Sequence, residues 1–154
     1  MIRIGDERHG RLIAMAACVG YDPETDKTFS RVDSDGCFLG GFVLTDYTGS
    51  TMTDHMAGVG NWCSPQLMWV IFDYQFEQCS LKKVMCTVSS HRRNVVDLVT
   101  RAGFRHEYSI EDGVPEGQMH LFSMSKDQCK WLRLRDRYLK VNGIHRGEHV
   151  HVHA

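Results

Sequence analysis

The chain has 154 residues and a mass of 17.6 kDa, enough for one domain with a core of its own. Hydrophobic residues make up 42% and charged residues 24%, which excludes disordered, collagenous and coiled-coil classes. A formal net charge of -1 and a pI near 6.7 exclude polyanion binding by bulk charge.

In chain order, Leu12, Ile13, Ala16 and Ala17 recur at helical spacing and predict a short helix over 10–19. Thr28 to Val32 reads as a weak strand, and Asp35-Gly36 as a hairpin signal. Cys37 to Leu44 follows as a buried strand whose glycines point to a bulge or a close backbone approach. Thr48-Gly49 turns the chain into a strand over Thr51 to Ala57. Ser64-Pro65 is an N-cap followed by proline at the first helical position. The helix it opens, 65–79, is apolar on more than one face, which fits deep packing and leaves a homodimer open. Val84, Cys86 and Val88 alternate as a strand. Residues 92–102 form a helix stopped by Gly103. Phe104 to Ile110 is a strand, Asp112-Gly113 its turn, and His120 to Met124 the return strand. Ser125-x-x-Gln128 is a capping box for a basic helix over 126–141, ended by Asn142-Gly143. A strand meander followed by strands alternating with helices predicts an α/β (α+β) fold with a mixed sheet and helices on both faces.

No apolar stretch is long enough to span a bilayer, and the N-terminus lacks a secretory h-region. Six scattered cysteines without a C-x-x-C pair predict free, mostly buried thiols and a cytoplasmic location. Charge is uneven. Residues 22–54 hold seven acids against Lys27 and Arg31, whereas 126–146 hold seven bases against Asp127 and Asp136. The basic helix could meet nucleic acid, but no aromatic stacking platform accompanies it, and a solvated face with Trp131, Leu132 and Leu139 packed inward is favoured. His149, His151 and His153 could share one strand face and bind a metal, yet no metal is required by the reading below.

The stretch with chemical content is His55-Met56-Ala57-Gly58-Val59-Gly60-Asn61-Trp62-Cys63-Ser64-Pro65. A strand runs into a glycine-bearing loop, and the loop into a helix N-terminus. That order gathers unpaired N–H groups and the positive end of a helix dipole, which suits an anion such as a pyrophosphate. The same glycines could also merely make a tight turn. No Gly-Lys-Ser/Thr follows, so this is not a Walker loop, and Cys63 stands where a dinucleotide fingerprint would have its third glycine.

Further on, V-M-C-T-V-S-S-H-R-R-N-V-V-D-L-V-T-R-A-G-F-R-H-E places a strand, a loop with Asn94, a short helix and a closing Gly103-Phe104. With His55-x-x-Gly58-x-Gly60, this resembles the GCN5-related N-acetyltransferase family, whose cofactor loop usually reads Gln/Arg-x-x-Gly-x-Gly/Ala. The element order resembles that family over residues 10 to about 125, closest in flavour to its ribosomal-protein and small phage-encoded branches. The resemblance implies a core over 1–125, with 126–154 as a basic helix and tail of the same domain. It implies a mostly antiparallel central sheet and acetyl-CoA as cosubstrate. The acceptor would be an amine, on a small molecule or a protein.

Carried onto this chain, the strand edge from His55 through Met56 to Ala57 would pair with the pantetheine arm. Gly58, Val59, Gly60, Asn61 and the helix start at Ser64 would cradle the pyrophosphate, and Asn94 would reach the cofactor or fix its loop. The strands holding His55 and Cys86 would splay apart to admit the thioester. Two departures stand out. The tyrosine that often protonates the leaving thiolate is Val99 here, which leaves Ser89, Ser90, Cys86, a water or positioning alone. No glutamate occupies the strand that often carries a base, where Asp54 and His55 are the titratable residues. They face opposite ways, and His55 is preferred as base because an imidazole titrates near neutrality. The alternative is a His55 that only hydrogen-bonds locally. The acidic loops favour a cationic acceptor, with Asp33 and Asp35 expected to contribute. The rival function is a catalytically weak module of the same fold that binds a protein or nucleic acid.

Overall fold

The computed structural model describes residues 1–135 and 137. Its sheet has seven strands in the order β1-β2-β3-β4-β5-β7-β6. These are β1 (Ile2–Ile4), β2 (Lys27–Val32), β3 (Phe38–Thr45), β4 (Thr51–Gly58), β5 (Lys83–Ser89), β6 (Arg105–Val114) and β7 (Gly117–Ser125). Every neighbouring pair is antiparallel except β4 and β5. The glycines of β3 mark a bulge as expected, for Arg31 faces Gly40 while Val32 faces Phe38. Strand β1, absent from the sequence expectation, is a three-residue edge too short to show alternation.

Helix α1 (Glu7–Ala17) starts before the predicted position because the Asp6 carboxyl accepts from the His9 N–H at 3.0 Å and caps it. It packs across β2, β3 and β4 on one face. Helix α2 (Pro65–Asp73) opens as predicted, with Ser64 Oγ accepting from the Leu67 N–H at 3.2 Å. The predicted helix to residue 79 continues as a π-helix over Tyr74–Gln78, whose wide turn is closed by the Cys79 N–H on the Tyr74 carbonyl at 2.9 Å. Helix α3 (Arg93–Ala102) ends at Gly103, in the left-handed region with φ 110 as the C-cap expectation required. Both α2 and α3 share one core with the opposite face of the sheet. Phe29, Phe42, Leu44, Val84, Phe122 and Met124 meet Leu67, Ile71, Phe72 and Val99 there.

Three expectations are corrected. The β6–β7 reversal falls at Pro115-Glu116, not at Asp112-Gly113. Ile110 pairs with Met119 and Val114 with Gly117, so residues 111–113 bulge out, with Asp112 at φ 52. The basic helix over 126–141 is not formed in its first part. Gln128 does accept from the Ser125 N–H at 3.3 Å, but it caps only a 3-10 turn (Lys126–Gln128). Cys129 is then extended, and a second 3-10 turn spans Lys130–Leu134. Trp131 and Leu132 pack on the core as expected. Trp131 Nε1–H and Lys130 Nζ donate to the Ala102 and Arg101 carbonyls at 2.7 and 2.6 Å, satisfying the end of α3. Leu139, the remainder of that helix and the tail histidines lie outside the described residues. Third, the six cysteines are free, but only Cys86 and Cys129 are buried; Cys18 and Cys37 are exposed. No helix among the described residues is long and apolar enough to cross a membrane.

Candidate active site

Strands β4 and β5 run in parallel only through Thr51–Lys83, Met52–Val84 and Thr53–Met85. Beyond these pairs each keeps only its other neighbour. β4 stays bonded to β3 up to Gly58–Gly40, and β5 to β7 up to Ser89–Met119. The sheet therefore opens as a wedge between Asp54–Gly58 and Cys86–Ser89, and presents one strand edge of β4 without a protein partner among the described residues. Such an edge offers alternating N–H and C=O groups to an extended ligand.

The open end of β4 runs into the glycine loop. Gly58 is demanded by packing, since a Cβ there would stand 2.3 Å from the Trp62 ring. Gly60 adopts φ 59, a left-handed conformation with open space around it. Arg31 Nη1 donates to the Asn61 carbonyl at 2.5 Å and ties the loop to β2. Arg31 also brings a positive charge beside the loop, a contribution the sequence reading missed; its one signal was a base inside an acidic stretch. The Val59 N–H is already bonded to the Leu39 carbonyl at 2.8 Å, so Val59 is removed from the expected anion donors. Asn94 is exposed in the first turn of α3, which follows β5 at the same open end.

Alternation along β4 sends Asp54 and His55 to opposite faces. His55 faces the α1 side, where it lines a cleft of about 560 Å³ with Val19, Tyr21, Asp22, Asp26, Thr45 and Asp46. Thr45 Oγ1 donates to Asp46 Oδ2 at 2.7 Å. A hydroxyl has one proton, so the 3.1 Å contact between Thr45 Oγ1 and His55 Nε2 is one in which Nε2–H donates. That assigns the free lone pair of the neutral ring to Nδ1. Burial holds the imidazole below its usual value, with Asp46 and Asp26 pulling the other way. Asp33 and Asp35 are not in this cleft. They sit in the β2–β3 turn, at the opposite end of β3 from Thr45, where Asp33 Oδ1 accepts from the Asp35 and Cys37 amides.

Asp54 faces the α2 side and is 2% exposed. Gln75, turned inward by the π-helix and fully buried, donates from Nε2 to Asp54 Oδ1 at 2.5 Å. Burial pushes the Asp54 carboxyl up to about 7, with the Gln75 bond opposing. The structure thus sets His55, Met56, Ala57, Gly58, Gly60, Asn61 and Ser64 in one run from strand to loop to helix start, with Asn94 across the wedge.

No protein-family model and no curated protein matches the chain. Solved structures do. Mutant forms of a spermidine/spermine N-acetyltransferase from Vibrio cholerae, SpeG, superpose with TM-score 0.67 at 15% identity, covering 86% of this chain and 97% of that one. Another point mutant of SpeG gives 0.66 at 15% identity, covering 88% and 99%. A GNAT-family acetyltransferase from Bacillus anthracis gives 0.58 at 9% identity, covering 80% and 86%. At these identities the likeness speaks for architecture: the chain has the fold of the GCN5-related N-acetyltransferases.

Proposed function

We propose that the protein is an acyl-CoA-dependent N-acyltransferase, moving acetyl from acetyl-CoA to a primary amine by direct attack. The observation that carries the reading is the wedge, with a free β4 edge that leads through a glycine loop to a helix N-terminus. The fit to acetyl-CoA follows from its chemistry. The edge of Met56 and Ala57 can take the amides of an extended pantetheine arm. The loop N–H groups of Gly60 and Asn61, the start of α2 and the Arg31 charge suit a pyrophosphate. Asn94 stands across the wedge, where a cofactor would pass. When bound, acetyl-CoA supplies an activated acyl thioester. The chain's part is to align it with the amine, which is a large share of such catalysis. His55 would take the amine proton at Nδ1, while Thr45, itself bonded to Asp46, holds its ring.

The acceptor is a cationic amine. Asp22, Asp26 and Asp46 gather around His55, and the solved relatives in fold include enzymes named for spermidine and spermine. Polyamines are therefore the first acceptors to try. Exchanging Asp22 and Asp26 for asparagine keeps acceptor oxygens for the Glu24 and Asp22 amides that they bind. The double variant is expected to raise the acceptor KM by roughly three- to tenfold with little change in kcat. Added salt should erode the wild-type KM toward the variant's. An unmoved KM for every amine tried would remove the cationic acceptor.

The deciding experiment is thermal unfolding with acetyl-CoA, against ATP and NAD as controls, followed by a free-thiol assay with polyamines and a mixed amine panel. At 100 times its Kd a ligand adds roughly 2.7 kcal/mol, which moves Tm by roughly 5–10 °C for a domain of this size. A shift with acetyl-CoA alone and release of thiol with an amine are expected. No shift and no thiol would overturn the reading in favour of a non-catalytic binding module.

A further inference from the structure

Asp54 has no role in the function proposed so far, yet it stands at the most telling point of the sheet. The β4–β5 register pairs Thr53 with Met85 and then stops. Continued by one step, it would set Asp54 against Cys86. These two residues flank the closed end of the wedge from the same face. An extended ligand on the β4 edge, with its anionic end at the glycine loop, reaches Asp54 after about 13 Å of strand, at roughly 3.3 Å per residue from Gly58. A pantetheine arm is long enough to bring its sulfur there.

The carboxyl is built for one free oxygen. Oδ1 is held by Gln75, whereas the buried Oδ2 has no hydrogen-bond partner among the described residues. A buried polar oxygen left unbonded costs stability unless something else uses it. The groups around it do not compete for a proton at neutral pH. Gln75 from the π-helix is an uncharged amide, and β3 places Leu44 beside it. The Cys86 thiol from β5 and the Cys129 thiol after β7 are both driven upward by burial first and by Asp54 second or later. Val99, at the position where the family often has a tyrosine, has no proton to give. Ser89 lies at the far, open end of β5 and accepts from the His91 amide.

We infer that Asp54 is the proton donor to the leaving thiolate, presenting its Oδ2–H to the sulfur at the closed end of the wedge. The inference rests on the acyltransferase reading above. In the balanced step, the amine nitrogen bonds to the thioester carbonyl carbon and the C–S bond breaks, with its electron pair going to sulfur. Sulfur takes the Asp54 proton and leaves as a free thiol. The proton lost by the amine goes to His55 Nδ1 on the other face. Solvent then restores Asp54 and relieves His55. Acid and base lie on neighbouring residues of one strand, and alternation alone puts them on opposite sides of the reacting bond.

The test compares the wild type with Asp54→Asn and Gln75→Met from about pH 5 to about pH 9. It measures acetyl-CoA binding, kcat with a reactive amine, and the infrared band of a buried protonated carboxyl. Asp54→Asn is expected to bind acetyl-CoA within about twofold of wild type but to lose about 10²- to 10⁴-fold in kcat. The wild-type decline of kcat on the alkaline side should vanish with it, and the carboxyl band seen at about pH 6 should disappear. Gln75→Met removes the amide that favours the carboxylate, so it should move the alkaline decline and the band's loss to higher pH. An Asp54→Asn enzyme with wild-type kcat and an unchanged alkaline decline would overturn the inference while leaving the acyltransferase intact. Absence of the protonated band from the wild type at about pH 6 would overturn it even if Asp54→Asn failed to fold. A wild type that neither binds nor consumes acetyl-CoA would overturn the parent reading, and the donor role with it.

Discussion

Exchanging His55 for glutamine is expected to lower kcat by about 10²- to 10⁴-fold, the range that a positioned base contributes. Glutamine keeps a donor for Thr45 but has no basic nitrogen to replace Nδ1. The KM for acetyl-CoA should hold, because the imidazole faces the α1-side cleft rather than the glycine loop. The pH profile separates a base from a structural residue. Wild-type kcat should fall in acid as the ring takes a proton, with a midpoint below the usual imidazole value of about 6.5 because burial disfavours the cation. The glutamine variant should lack that limb. A loss of activity with the acid limb retained would assign the base elsewhere and reduce His55 to a local hydrogen-bonding role.

The second large effect is on stability. Burial raises the Asp54 carboxyl to about 7 in the folded chain, against the ordinary 3.8 of an unhindered aspartate. Between those values the native state holds one proton more than the unfolded state. Stability must then fall as pH rises through that window and level off above it. Three pH units correspond to roughly 4 kcal/mol, on the order of 10 °C in Tm for a chain of this size. Asp54→Asn carries no such penalty. Urea unfolding of both proteins at a series of pH values should show the asparagine variant gaining on the wild type from about pH 4 to about pH 7, then running parallel. A gap that does not change with pH would mean that Asp54 is ionised in the fold.

Much of the fold was legible because the elements that frame the wedge carry strong local signals. Ser64-Pro65 opens α2, Gly103 stops α3, and Val84, Cys86 and Val88 alternate on β5. What was not legible depends on longer-range or subtler physics. A π turn repeats nearly like an α turn, so the spacing of apolar residues over 65–79 could not reveal that Gln75 is rotated inward. Without Gln75, nothing marked Asp54 as more than the residue beside His55. The Asp112-Gly113 pair carries a turn's composition but serves a bulge, because the register across β7 leaves those residues unpaired. The capping box at Ser125 promised a helix, yet Cys129 turns extended so that Trp131 can reach the end of α3. At the site, strand alternation separated Asp54 from His55 correctly. Charge alone picks out the acidic loops but not that Asp33 and Asp35 lie at the opposite end of β3 from the His55 cleft, since composition does not say which end of β3 a loop occupies.

The wedge also bears on how the molecule holds together. A seven-stranded sheet joined at its middle by a few residue pairs is, mechanically, two smaller sheets on a short hinge. The backbone there transmits little, and continuity passes to the side chains beneath, where Phe72 stacks on Phe76 and meets Phe104 at a tilt, linking α2 to the strand beyond α3. Cooperativity between β1–β4 and β5–β7 is thus an affair of side-chain packing in the shared core rather than of the amide ladder. Amide exchange should report two blocks with separate opening free energies. A ligand lying along the seam would act as an added strand, merging the two blocks into one.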